Sequence, residues 1–345
     1  MDNAMKRYLH RRPFTLESGE VLPEVSIAYH TYGELSPQRD NVIWVCHALT
    51  ANSDVADWWP GTVEPGRFLD PGRWFVVCAN ILGSHYGTTG PLSIDPATGE
   101  PWYGRFPQIT VRDMVRCHRL LADHLGIRQA ELLIGSSIGG FQCLEWAVME
   151  PGFARRVALI ATAVRSKPWA IAFNESQRMA IETDPTFGTP SPDAGARGMA
   201  VARSVALLSY RGQPAYDKTQ DDPAAHDKRE GYRATTYQRH QGEKLRRRFN
   251  AYSYYRLTQA IDSHDIARGR GGDEARVLAG IRARCLVVAI TSDILFPPAE
   301  HDLMRRAIPR ASYRLIDSDF GHDGFLIEHE QLDAIIREFM TQPLD

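Results

Sequence analysis

Leu132-Leu133-Ile134-Gly135-Ser136-Ser137-Ile138-Gly139-Gly140-Phe141 reads as the end of an apolar strand, a tight turn and the start of a helix that continues to Val148. The turn carries G-x-S-x-G at residues 135–139. Small flanking residues let the chain reverse sharply there and expose a strained serine at the carboxyl end of a sheet. The hydroxyl then lies at a helix N-terminus, where the backbone N–H of Ile138 can stabilise a developing oxyanion. Ser136 is the rival nucleophile inside the same turn, and the motif register favours Ser137. G-x-G-x-x-G and Gly-Lys-Ser/Thr are absent from this turn, which argues against a phosphate-binding loop.

Along the chain, six short apolar runs are continuous rather than alternating: Asn41–Cys46, Trp74–Ala79, Glu131–Ile134, Val157–Ile160, Cys285–Ile290 and Tyr313–Ile316. Continuous runs predict strands buried on both faces. Between them lie helical patterns, notably Val111–Leu125, closed by Gly126. Strands alternating with helices predict an α/β fold with a mostly parallel central sheet. The alternation breaks between Lys167 and Ala279, where Ala, Arg, Gln and Tyr dominate helix-like stretches. The expected organisation is therefore a core in two parts, residues 1–166 and 280–345, with a helical insertion over 167–279. A proline- and glycine-rich entry (Asp184 to Gly195) and a glycine-rich exit (Arg268 to Gly272) punctuate the insertion.

At 345 residues and roughly 150 per domain, the chain suits two domains or one large fold with an insertion. A net charge of −2 gives no strong field, so neither nucleic acid nor a membrane is expected as a partner. The longest nearly unbroken apolar run, Val157 to Val164, is far short of the roughly 20 residues that span a bilayer. Met1 to Pro13 is basic without the apolar centre of a secretory signal, so a cytoplasmic setting is expected. The five cysteines are odd in number and scattered, which suits reduced, buried thiols. Neither H-E-x-x-H nor C-x-x-C occurs, and no metal site is expected.

A serine hydroxyl needs a base, and the base needs an orienting acid, following here in the order Ser, Asp or Glu, His. Asp293 follows the strand Leu286–Ile290 in TSDILFPP (291–298), and His322 follows the next strand in DFGHDGF (319–325). Both places are loops after strands, where α/β folds assemble their sites. The second oxyanion donor is expected from the loop after an earlier strand, Val45-Cys46-His47-Ala48-Leu49-Thr50.

Together these segments resemble the homoserine O-acetyltransferase family, acyltransferases of methionine biosynthesis built on the α/β-hydrolase fold. The resemblance is carried by HALTANSD (47–54), DWWPG (57–61), ANILGSHYGTTGP (79–91), PATGEPWYGRFP (96–107), ITVRDMV (109–115), GSSIGGFQCLEWAV (135–148), AFNESQRMAI (172–181), TSDILFPP (291–298) and GHDGFLIE (321–328). It implies Ser137 as the acylated nucleophile, Asp293 and His322 as its triad partners, and the backbone N–H groups of Leu49 and Ile138 as the oxyanion hole. It implies that Arg203 binds the amino-acid carboxylate, Tyr210 helps to position it and Asp323 takes the ammonium. A guanidinium and an aspartate can fix both ends of a free amino acid, and a simple esterase needs neither. The resemblance makes the insertion a helical lid that supports a homodimer, with homoserine and acetyl-CoA as substrates and no resident cofactor. Succinyl-CoA, serine or simple hydrolysis remain alternatives on the same scaffold. Ser136 stands where a glycine is usual and Ile138 replaces a methionine. Lys244-Leu245-Arg246-Arg247-Arg248 is either a solvated helix face or an attractor for coenzyme A phosphates. Arg268-Gly269-Arg270-Gly271-Gly272 is better read as a loop than as an RNA-binding repeat.

Overall fold

The computed structural model describes residues 4–344. The outermost ends of the two expected core parts, residues 1–3 and 345, lie outside the described residues. The described chain opens with β1 (Lys6–His10), β2 (Phe14–Thr15), β3 (Val21–Leu22) and β4 (Val25–Tyr32). It continues through β5 (Val42–Cys46), α1 (Val55–Trp58), β6 (Phe75–Ala79), α2 (Val111–His124), β7 (Ala130–Ser136), α3 (Ile138–Met149) and β8 (Ala154–Ile160). Helices α4 (Pro168–Glu182), α5 (Ala196–Tyr210), α6 (Gln213–Gln220), α7 (Arg233–Arg246), α8 (Ala251–Asp262) and α9 (Glu274–Ala279) come next. The chain then forms β9 (Arg284–Ile290), α10 (Asp302–Ala307), β10 (Ala311–Ile316), α11 (Gly324–Ile327) and α12 (His329–Thr341).

The large sheet runs β1-β4-β6-β5-β7-β8-β9-β10. Every ladder from β6 to β10 is parallel, and β1 and β4 extend the sheet antiparallel at one edge. The expected mostly parallel α/β architecture is therefore present, with an antiparallel edge that the apolar runs did not announce. The continuity of those runs has a simple cause in β5. Ile43 and Val45 pack on one face with Trp59, Phe68 and Phe339, while Trp44 and Cys46 pack on the other with Cys143 and Trp146. A strand covered on both faces has no solvent side for polar residues.

Helix α2 is held at its start by a reciprocal capping box: Thr110 Oγ1 accepts the Asp113 N–H, and Asp113 accepts the Thr110 N–H at 3.0 Å. Such caps contribute about 1 kcal/mol. Helix α3 has no comparable polar face, since Ile138 to Ala147 are all buried between sheet and helices. Among the described residues between β8 and β9 the chain is helical, with α5 packed on α4 and α7. The glycine-rich exit is an ionic anchor: Arg268 pairs with Glu17 at 2.8 Å, and Arg270 and Arg112 both pair with the buried Glu145. All five cysteines are buried free thiols. Among the described residues no helix is long and apolar enough to cross a membrane.

Because β5, β7, β9 and β10 point the same way, the loops after all four open at one edge of the sheet. Those loops carry Leu49, Ser137, Asp293 and His322.

Candidate active site

Ser137 is the residue at which the chain turns from β7 into α3, with φ 57° and ψ −126°. A non-glycine residue in such a region costs about 1–3 kcal/mol and persists only where its surroundings fix it. Here the Ser137 N–H donates to Ile160 O at 3.0 Å, and Thr162 Oγ1 donates to Ser137 O at 2.9 Å. Close packing completes the turn. A Cβ on Gly135 would meet Gly139 O at 2.3 Å, and one on Gly139 would meet Cys46 O at 2.1 Å. The two serines separate cleanly: Ser137 lines a cavity of ≈ 470 Å³, whereas Ser136 is buried in β7 with no partner for its hydroxyl among the described residues.

His322 lines the same cavity. Its Nδ1 lies 2.8 Å from Asp293 Oδ2, while Oδ1 of that carboxylate accepts the N–H groups of Leu295 and Phe296 at 2.8 and 2.9 Å. With every nearby group a donor to it, Asp293 holds the imidazole proton on Nδ1 and leaves Nε2 free to accept. Burial pushes the imidazole pKa down, but the charge and hydrogen bond of Asp293 and the charge of Asp323 outweigh it, so His322 stands above its usual 6.5.

Leu49 also lines the cavity, and Ile138 is the first residue of α3. Among the described residues neither backbone N–H donates to a carbonyl or side chain. A buried amide without a partner is uncommon. Two such donors, one on a residue that lines the cavity of Ser137 and one on the residue after it, are of the kind that can receive an oxyanion.

Across the cavity, α5 delivers Arg203 and Tyr210. The end of this helix passes the loop before His322 backbone to backbone, since a Cβ on Gly321 would meet Gly212 N at 2.5 Å. The Tyr210 ring centre lies 5.8 Å from that of His322. The Arg203 guanidinium stacks over Tyr210 at 5.4 Å and has no carboxylate ion pair among the described residues. Asp323 is in the cavity as expected, but not free: Arg211 Nε lies 2.9 Å from its Oδ2. The geometry is that of an ion pair rather than an aligned hydrogen bond, as Arg211 Nε finds no well-directed acceptor. Burial raises the Asp323 carboxyl above its usual range against the opposing charges of Arg211, Arg203 and His322. Arg211 is the site residue that sequence reasoning passed over, although it is the next residue after Tyr210. Nothing in helical spacing reveals that the residue just past the helix turns toward Asp323.

The basic run of α7 divides. Arg246 and Arg247 pair with Glu243 on the outer face, whereas Lys244 and Arg248 line the cavity. Arg248 is braced on Thr50 O and the Tyr86 hydroxyl at 2.5 and 2.6 Å, with no acidic partner among the described residues. No three His, Cys, Asp or Glu side chains among the described residues are grouped to hold a metal.

Residues 41–328 match the family model for the α/β-hydrolase fold. The chain is 44% identical over 328 residues to the homoserine O-acetyltransferase of Cyclobacterium marinum, covering 95% of this chain and 93% of the relative. It is 44% identical over 333 residues to that of Nostoc punctiforme, covering 94% and 93%. Among solved structures, the homoserine O-acetyltransferase of Bacillus anthracis superposes with a TM-score of 0.91 at 24% identity, covering 99% of this chain and 98% of that one. An acetylester hydrolase from Corynebacterium glutamicum shares the fold at a TM-score of 0.88 and 21% identity, covering 98% and 96%. Near-complete coverage by relatives at 44% identity places the chain in the homoserine O-acetyltransferase family.

Proposed function

We propose that this protein moves an acetyl group from acetyl-CoA to the hydroxyl of homoserine through an acetyl ester on Ser137. One observation carries the choice of acceptor: the cavity that holds Ser137 and His322 also holds the guanidinium of Arg203, which has no carboxylate ion pair among the described residues, and the carboxylate of Asp323. Charges of both signs match the two ends of a free amino acid.

In the first half-reaction His322 Nε2 takes the Ser137 proton as Oγ attacks the thioester carbon. The N–H groups of Leu49 and Ile138 receive the oxyanion. Collapse breaks the C–S bond, the proton passes from His322 to the departing sulfur, and the acetyl ester remains. Homoserine then binds with its carboxylate on Arg203 beside Tyr210 and its ammonium on Asp323, which it shares with Arg211. Its hydroxyl gives a proton to His322 and attacks the ester; collapse returns the proton to Ser137 and releases O-acetylhomoserine. Lys244 and Arg248, at the side of the cavity bounded by Thr50, are suited to the phosphates of coenzyme A. No metal or resident organic cofactor takes part in this scheme.

The inserted helices act as a lid that replaces water by an oriented alcohol, whose effective concentration then exceeds that of water. Their outer surface, where Val201 and Leu208 of α5 are exposed, supports a homodimer through the lid. Five reduced thiols are in keeping with a cytoplasmic setting.

The test is thiol release from acetyl-CoA and succinyl-CoA, each with homoserine, serine or no acceptor, with products identified by mass spectrometry. Homoserine-dependent release yielding O-acetylhomoserine is expected. A preference for succinyl-CoA or serine would reassign the substrates, and acceptor-independent release of free acetate would replace the transferase reading by hydrolysis.

A further inference from the structure

The loop after β5 contains a fully buried histidine that the mechanism above does not use, His47. Its Nε2 lies 3.1 Å from the backbone nitrogen of Ile81. That N–H can only donate, so Nε2 must accept and the ring proton must sit on Nδ1. Nδ1 in turn lies 2.8 Å from the carbonyl oxygen of Ala48, to which it donates. Burial pushes the ring pKa down to about 4, which keeps this arrangement neutral in ordinary buffers.

The Ala48 carbonyl and the Leu49 N–H belong to one peptide unit. No described peptide bond is cis, and in a trans peptide the N–H points opposite the C=O. A ring that holds the carbonyl inward therefore turns the Leu49 N–H outward, toward the cavity that Ala48 and Leu49 line. The Ala51 N–H occupies the other acceptor direction of the same carbonyl at 3.1 Å, so the peptide is fixed from two sides.

A second buried side chain ties this loop to α3. Gln142 Nε2 donates to Ile138 O at 3.1 Å and to His47 O at 3.4 Å, while its Oε1 accepts from His118 Nε2 at 2.8 Å. One amide thus spans the two segments that supply the Leu49 and Ile138 donors.

We propose that His47 is a positioning residue: as its Nδ1–H tautomer it aims the Leu49 N–H at the oxyanion of each tetrahedral intermediate, and Gln142 sets that donor's spacing from Ile138. The inference rests on the acyl-serine reading. A donor so positioned acts most strongly where negative charge develops, so its loss belongs in kcat rather than in substrate binding.

The experiment compares wild type with His47→Phe, which keeps a ring without a donor, and His47→Gln, which keeps an N–H donor. Expected for His47→Phe is a fall in kcat of about 10- to 100-fold, less than outright removal of an oxyanion donor, with both KM values nearly unchanged. The infrared carbonyl band of 13C-acetyl-Ser137 should move to higher frequency in His47→Phe, as expected when hydrogen bonding to that oxygen weakens. His47→Gln should recover much of both. An unchanged band in a folded His47→Phe protein, or equal kcat in wild type and His47→Phe, would overturn the proposal. If His47→Phe does not fold, long-range 1H–15N spectra of wild type still decide, with the His47 signal assigned through its loss in His47→Gln. An Nε2–H tautomer there contradicts the assignment. Wild-type protein that forms no acetyl-Ser137 would instead remove the acyl-serine reading itself, a failure that the mass of the intact protein distinguishes.

Discussion

At the scale of single residues, the two serines of the elbow make opposite predictions. Ser136 is 2% exposed and its hydroxyl has no hydrogen-bond partner among the described residues, a state that costs about 1–3 kcal/mol relative to a satisfied group. Ser136→Ala is therefore expected to stabilise the fold by about 1 kcal/mol in urea unfolding, with kcat unchanged. Ser137→Ala is expected to abolish covalent acetylation. A collapse of acetylation in Ser136→Ala would reverse the assignment that motif register favoured. The pair His322 and Asp323 predicts a pH profile. His322 must be neutral to accept the serine proton, and its pKa lies above 6.5; single-turnover thiol release should therefore rise with pH along a limb whose midpoint exceeds that value. Asp323 helps to raise the pKa, so Asp323→Asn should move the midpoint to lower pH. Measuring acylation without acceptor keeps the role of Asp323 in homoserine binding out of the readout. A midpoint that stays fixed would show that Asp293 alone sets the base.

At the scale of elements, the docking of α3 against the loop after β5 is the narrowest tolerance in the site. The methyl group of Gly139→Ala would collide with Cys46 O, a backbone atom that cannot swing aside. Helix and loop would have to part, separating the Ile138 and Leu49 donors. Overpacking of this kind costs about 1–3 kcal/mol, and a displacement near 1 Å can lower a rate about 10²-fold. Gly139→Ala should therefore lower kcat far more than it lowers the urea midpoint, and a variant with native kcat would show that the two segments can separate without loss. The same region explains which elements were legible. Each of the six apolar runs falls on a strand, and α2 declared itself through its period and Gly126. Five of the runs lie on β5, β6, β7, β8 and β9, whose faces meet apolar layers. Tyr313–Ile316 instead lies on the edge strand β10, which is only half-buried with Leu315 exposed, against the expectation of burial on both faces. β4 was not anticipated: VSIAYHTY mixes hydroxyl and imidazole groups into a buried strand, and His30 is satisfied there by Ser53 at 2.7 Å. β1 lies on the sheet edge with its residues partly exposed, so no apolar run marks it. Serine, aspartate and histidine were readable because each follows a strand in the order such a triad requires. Arg211 was not, because its partner Asp323 is distant in sequence, and His47, although it follows β5, was not, because its partners are backbone groups.

For the whole molecule, the cavity takes Ser137 and His322 from the loops of the sheet and Arg203 from a helix of the insertion. That division predicts that the two half-reactions can be separated by one substitution. Arg203 is paired with no acid among the described residues and stacks only on Tyr210, so Arg203→Met removes a charge without stranding an opposite one. The chain should fold as wild type does. In the proposed scheme acylation uses Ser137, His322 and the two N–H donors, none of which hydrogen-bonds to Arg203 among the described residues, so the first equivalent of thiol should still be released rapidly. Deacylation by homoserine loses the group proposed to hold its carboxylate. A charge-assisted bond of about 1.5–3 kcal/mol corresponds to roughly 10- to 150-fold in kcat/KM for homoserine. The acetyl-Ser137 ester should then accumulate and drain slowly to water, so that acetate rises at the expense of O-acetylhomoserine. Stopped-flow thiol release followed by product analysis reads both phases. If the burst disappears along with turnover, Arg203 serves the acyl donor instead, and the inserted helices contribute to both halves of the reaction rather than to the acceptor alone.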